Sequence, residues 1–225
     1  MRTAAILPVK RFTAAKQRLG ASVADPLRAD LARAMVGDVL SALHHCPELE
    51  RTIVVTNETT VAAAARYLGA MVVPDTAEDG QSAAVALGVA EAVREGFERV
   101  LCIPGDCPAL DPGEIEELLS GDDSAVVVIV PDRHGTGTNG LLLAPPEAIA
   151  PSFGPGSCER HRELARAAGA SCRVACPASL LLDVDTGEDL AVLRERLAGE
   201  RERAPRTRAV LGLSPARRAN PSRAA

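Results

Sequence analysis

The sequence predicts an α/β fold, a single domain whose mostly parallel sheet carries helices on both faces in three layers. Three observations predict it. Short apolar runs alternate along the chain with longer segments of helical periodicity, the pattern of βαβ units. Helix start and stop signals fall between those runs, as at Asp25-Pro26, Asp111-Pro112, Gly69 and Gly96. An apolar fraction of 47% over 225 residues is enough for one sizeable core.

The elements follow in order. Residues 4–9 form a short apolar run, read as a buried first strand. Asp25 as N-cap and Pro26 at the first helical position open a helix whose apolar face is Leu27, Leu31, Met35, Val39 and Leu43. Residues 51–56 are the second strand. Thr59 opens an Ala-rich helix that stops at Gly69. Strand three is 71–73, a helix covers 82–95, and strand four is 100–103. Asp111, Pro112 and Glu114 start the next helix, and 125–130 is strand five. A Gly/Thr loop leads to an extended run at 141–144. A helix is expected at 158–168, then extended segments at 171–175 and 180–185. Thr186 with Asp189 forms a capping box for a last helix ending near 198.

Composition excludes several classes. The longest apolar run, residues 125–130, is far short of the roughly 18 residues needed to span a bilayer. Lys10 and Arg11 interrupt the first apolar stretch, so a secretory signal is not expected. The six cysteines contain no C-x-x-C pair, which predicts a reduced, cytoplasmic chain with buried thiols. Tyr67 and the three phenylalanines are expected in the core. Residues 199–225 hold seven Arg and two Glu; against an overall charge of −5, that segment carries +5 and the rest −10. Rich in Arg, Ala and Pro, the segment is expected to be a disordered tail, with 1–198 as the folded domain. The acidic body argues against a nucleic-acid partner and means that a bound polyanion needs local cations or a metal.

In open α/β sheets ligands bind beyond the carboxyl ends of the strands, so the loops there matter most. The first reads Leu7-Pro8-Val9-Lys10-Arg11-Phe12-Thr13-Ala14-Ala15-Lys16-Gln17-Arg18-Leu19. It carries four cations and no acid. Lys10 and Lys16 are also the only lysines in a chain with 23 arginines, so both look chosen for a compact point charge. Such a loop suits a triphosphate, although a solvated basic loop has the same composition. The turn Pro104-Gly105-Asp106 projects one carboxylate after strand four, a common Mg²⁺ ligand or simply a turn. In the extended stretch 182–185, Asp183 and Asp185 share a face; two neighbouring carboxylates call for a cation. The loops 132–139 and 153–157 are Gly-rich, the second just before a helix, where freed amides bind phosphate or carboxylate. A helix cap at Ser157 and a Gly-rich hairpin explain the same spacing.

Taken together, the cationic first loop, the G-D-x-P turn at 105–108 and the D-V-D-T-x-E-D-L stretch at 183–190 resemble the GT-A-like nucleotidyltransferases. Within that group, L-P-V-K-x-x-x-x-A-K-x-R-L, D-R-H-G-T-G-T-N and F-G-P-G-S resemble the 2-phospholactate or phosphoenolpyruvate guanylyltransferases of coenzyme F-420 biosynthesis. The resemblance spans about residues 3–198. It implies transfer of GMP from GTP to phosphoenolpyruvate or 2-phospholactate, release of pyrophosphate, and Mg²⁺ as cofactor. By the same resemblance Asp106 and Asp185 hold the metal, and Thr138, Gly154 and Ser157 hold the phosphorylated acid. Lys10, Lys16 and Arg18 become the catalytic cations on the triphosphate. Leu7, Pro8, Lys10, Lys16, Gly80 and Ser82 bind the nucleotide. A homodimer is among the assemblies it allows. Gly80-Gln81-Ser82 stands where the family has Gly-Leu-Asn, and Cys107 replaces an aliphatic residue. A cytidylyl or molybdopterin guanylyl transferase, or a non-catalytic GTP-binding module, stays open as an alternative.

Overall fold

The structure, a computed structural model, describes residues 1–12, 25–121 and 126–213. Strand β1 (Thr3–Val9) is apolar and almost wholly buried because it lies inside the sheet with helices on both sides. It pairs in parallel with β2 (Arg51–Thr56) and β4 (Arg99–Cys102). β3 (Met71–Val73) adds in parallel to β2. Beyond β4 the sheet continues through β6 (Thr138–Leu143), β5 (Val127–Pro131) and β7 (Cys172–Val174), giving the order β3-β2-β1-β4-β6-β5-β7. β6 is antiparallel to both neighbours and the other pairings are parallel, so the expected mostly parallel sheet is present.

Alternation along the strands sorts the core into two faces. Ala5, Leu7 and Val9 pack with α1 (Asp25–His44), α2 (Thr59–Tyr67) and α4 (Pro112–Ser120). Ala4 and Ile6 pack on the other face with α3 (Gln81–Arg94) and α5 (Ser157–Ala167). The Asp111 carboxylate caps α4 by accepting from the Gly113 amide, as the Asp-Pro pair predicts. Thr186 and Asp189 form the expected capping box of α6 (Gly187–Gly199).

Four expectations need correction. The segment 180–185 is not a strand of the sheet. It runs beside the loop after β4, where the Val184 amide donates to the Asp106 carbonyl at 3.1 Å. Tyr67 is not core: it is 90% exposed at the end of α2, and Leu27 on α1 is likewise exposed. Four cysteines are buried, but Cys172 and Cys176 are exposed. The start of the supposed tail is folded: α7 (Pro205–Val210) packs with α1 and α6 in a satellite core of Leu31, Met35, Leu193, Leu197, Ala204 and Leu211. Residues 214–225 lie outside the described residues.

A buried acid explains why α7 docks. Asp38 on α1 accepts from the amides of Arg206 (3.1 Å) and Thr207 (2.8 Å), two donors that the first turn of α7 cannot satisfy internally. Asp38→Ala should cost about 1–2 kcal/mol, the range for losing such a cap. That corresponds to a fall in unfolding midpoint of roughly 2–8 °C for a chain of this size. A melting curve identical to that of the parent protein would show that α7 is held by apolar packing alone.

Candidate active site

The parallel strands end at one rim of the sheet, and the antiparallel β6 begins there. Loops from β1, β3, β4 and β5 and the first residues of β6 therefore converge. They enclose a cavity of about 730 Å³, whose wall includes Lys10, Asp106, Thr138, Gly154, Ser157 and Asp185. Six of the residues expected from separate loops thus line one cavity.

One wall is acidic. Asp106 and Asp185 are brought together by the Val184–Asp106 backbone bond, since Val184 immediately precedes Asp185. Leu182 and Val184 are buried in the satellite core, while the intervening Asp183 and Asp185 line the cavity. The alternation inferred for a strand therefore survives in an irregular segment. Burial, then the charge of Asp106, pushes the Asp183 carboxyl up to about 6; Asp185 adds a smaller push, and a bond from the Asn139 amide opposes it. Asp75 and Asp132 line the same cavity. Among the described lining residues only Lys10 is cationic.

This donor set bears on a metal ion. Among the described residues, no group of three or more His, Cys, Asp or Glu is arranged to hold a metal. Mg²⁺ does not need one: it keeps several waters and takes one or two carboxylates plus substrate phosphates. Carboxylates crowded along one cavity, one of them with its proton affinity raised by burial and its neighbours' charge, fit a hard divalent cation.

The same cavity also offers hydroxyls. Thr138 opens β6, three residues before the extended run expected from sequence, and its hydroxyl contacts Nδ1 of His161 at 3.0 Å. Ser157 is buried at the start of α5, and its Oγ has no hydrogen-bond partner among the described residues. The expected amide nest is not what this helix end presents. The Ser157 amide donates to the Gly154 carbonyl and the Cys158 amide to the Thr136 carbonyl. Ser157 therefore offers its hydroxyl. The preceding loop is clamped from α5, because the Arg160 guanidinium donates to the Ser152, Phe153 and Pro155 carbonyls. Gly156, at φ 72°, makes the left-handed turn into the helix.

The nucleotide-binding residues are sorted less simply. Lys10 and Pro8 line the cavity. Leu7 is fully buried in the core, so its side chain cannot reach a ligand. Gly80 and Ser82 are not in the wall; Ser82 Oγ accepts from the Phe153 amide at 2.8 Å and ties α3 to the clamped loop. Gln81, between them, is the side chain that lines the cavity. Lys16 and Arg18 lie outside the described residues. Sequence reasoning gave no role to Asp75, and it met Gln81 only as the middle of Gly80-Gln81-Ser82. Asn139 closes the marked loop 132–139, but its role depends on distant partners: its amide donates to Leu180 and Asp183 across the fold.

Comparison with known proteins places the chain in a family. Similar chains include a phosphoenolpyruvate guanylyltransferase of Conexibacter woesei, 48% identical over 94% of this chain and 96% of the relative. Another of that name, from Sphaerobacter thermophilus, is 35% identical over 88% of this chain and 94% of its own length. Among solved structures, a putative nucleotide-diphospho-sugar transferase from Desulfovibrio desulfuricans superposes with a TM-score of 0.75 at 19% identity, covering 94% of this chain and 95% of that one. A nucleotidyl transferase from Methanothermobacter thermautotrophicus gives 0.62 at 21% identity, over 88% and 99% of the two chains. The structural likenesses establish the fold as that of GT-A-like nucleotidyltransferases. The model of the CofC-like guanylyl transferases matches residues 3–210, α7 included, and with relatives this similar along nearly its whole length the chain belongs to that family.

Proposed function

We propose that this protein transfers the guanylyl group of GTP to phosphoenolpyruvate, releasing pyrophosphate, as a step in making the deazaflavin coenzyme F-420. One observation carries the chemistry: carboxylates (Asp106, Asp183, Asp185), hydroxyls (Thr138, Ser157) and the cation Lys10 line one cavity. The acceptor is taken from similar proteins that carry the name phosphoenolpyruvate guanylyltransferase.

An oxygen of the acceptor phosphate attacks the α-phosphorus of GTP, forming a new P–O bond as the bond to the β-phosphate bridge breaks. The electron pair leaves with pyrophosphate. A phosphate monoester is already largely ionised at pH 7, so no side chain need remove a proton. The barrier lies in bringing two anions together, and the protein's task is to position them and offset their charge. Asp106 and Asp185 would hold Mg²⁺, which when bound neutralises phosphate charge and orients the phosphates. Thr138 and Ser157 orient the acceptor through their hydroxyls. Lys10 stabilises the departing pyrophosphate, a role the family resemblance extends to Lys16 and Arg18.

The test is product analysis by mass spectrometry, with each of the four NTPs against phosphoenolpyruvate and 2-phospholactate, with and without Mg²⁺. Guanylylated phosphoenolpyruvate and pyrophosphate should form from GTP only when Mg²⁺ is present. Faster turnover with CTP, or GTP binding with no product from either acid, would reject the assignment.

A further inference from the structure

His161 on α5 is fully buried behind the cavity wall, and its two ring nitrogens face different obligations. The Ser152 backbone N–H donates to Nε2 at 2.9 Å. A backbone amide can only donate, so Nε2 is the unprotonated nitrogen. A neutral imidazole carries one proton, which is then on Nδ1. Nδ1 lies 3.0 Å from Thr138 Oγ1 and donates to it. Burial first, and then the charge of Arg160, push the ring's pKa down to about 4, so it is neutral at physiological pH. Protonation would also set an Nε2–H against the Ser152 N–H. The Thr138 hydroxyl hydrogen cannot point back at an N–H, and Thr138 lines the cavity.

We infer that His161 is a positioning residue that turns the Thr138 hydroxyl into an obligate donor aimed into the cavity, at an ionised oxygen of the phosphorylated acid. The inference rests on the functional reading above and deepens it. A threonine hydroxyl by itself both donates and accepts. Locked as a donor, it favours a phosphate or carboxylate oxygen over a group that must donate. The same ring holds the Ser152 amide and meets Phe153 edge-to-face at 5.2 Å. One side chain therefore couples the start of β6 to the loop before α5, the two segments that carry Thr138 and Ser157.

Two substitutions separate positioning from packing. His161→Asn keeps an N–H donor near the Nδ1 position and loses the acceptor at Nε2. His161→Gln keeps an acceptor near Nε2 and loses the donor to Thr138. His161→Gln should raise the KM for phosphoenolpyruvate about tenfold, the scale of one hydrogen bond to a charged group, and leave the KM for GTP unchanged. His161→Asn should stay within about threefold of the parent in both constants, because the donor to Thr138 survives. On a Thr138→Val background His161→Gln should add less than about twofold, since its effect runs through the missing hydroxyl. Equal damage from Asn and Gln, or an undiminished Gln effect on the Thr138→Val background, would overturn the inference. Should the variants not fold, ¹⁵N spectra of the imidazole in the unsubstituted protein decide it. A neutral ring protonated at Nδ1 at pH 7 supports the inference; an Nε2–H tautomer or an imidazolium overturns it. If the unsubstituted protein makes no guanylylated product, the functional reading fails, and the tautomer is measured independently of that outcome.

Discussion

Asp106→Asn is expected to lower Mg²⁺-dependent guanylyl transfer by about 10²–10³-fold, the cost of removing one preorganised electrostatic group from a transition state in which charge moves. Asparagine keeps the shape of the side chain. It also keeps the Asp106 carbonyl that accepts from Val184, so the segment 182–185 stays in place. What is lost is one full negative charge at the cavity wall and its capacity to hold a hard cation. The variant should therefore require more Mg²⁺ for half-maximal rate, while its unfolding midpoint stays within a few degrees of the parent. Pyrophosphate release measured across a Mg²⁺ titration checks both. A parental rate at every Mg²⁺ concentration would remove Asp106 from the chemistry, and with it the account of how two phosphorylated anions approach.

Gly88→Val is expected to be the most damaging single change to stability outside the site. Gly88 is buried on α3 where the helix crosses the sheet. A Cβ there would lie 2.5 Å from a methyl of Ile6 and 3.1 Å from one of Val55. Both are fully buried residues of adjacent parallel strands, so neither can yield cheaply. Overpacking of this kind costs about 1–3 kcal/mol, and the two further methyls of valine push the loss to the upper end. Gly88→Ala makes a sharper comparison. Helix propensity alone predicts a gain of about 1 kcal/mol, whereas the 2.5 Å contact predicts a loss. Denaturant melts of both variants should show destabilisation, greater for valine. Lifting α3 would also move Gln81 and the Ser82–Phe153 bond, so the KM for both substrates should rise in whatever fraction remains folded. A stabilised Gly88→Ala would show that α3 sits farther from the sheet than its described packing.

The contrast between these two positions shows what a sequence makes legible. Asp106 stands in a P-G-D turn after an apolar run, and its place at the rim follows from local pattern, while its reading as a metal ligand comes from the family resemblance. Gly88 is one small residue in an Ala-rich helix, and nothing in its neighbourhood of sequence says that Ile6 lies against it. Thr138 falls between. Its loop was marked, but its position as the first residue of a strand depends on the pairing of β6 with β4 and β5. His161 was passed over because its meaning depends on two partners, nine and 23 residues away in sequence, that meet it only in the fold. Asp38 likewise means nothing until α7 reaches it from 168 residues away.

The amino-acid order alone determined the α/β alternation, most strand and helix positions to within a few residues, and the rim loops with their acids at 106, 183 and 185. Each of these depends on periodicity, capping or turn chemistry acting over a handful of neighbours. Only the tertiary structure decided that β6 runs antiparallel and delivers Thr138 to the rim, that 182–185 lies beside Asp106 instead of joining the sheet, that Ser157 offers a hydroxyl and not an amide, and that residues 205–210 are folded. The physical reason is common to all four. Strand direction, the spending of a backbone amide and the docking of a terminal helix are settled by partners far along the chain, and no local pattern names a distant partner.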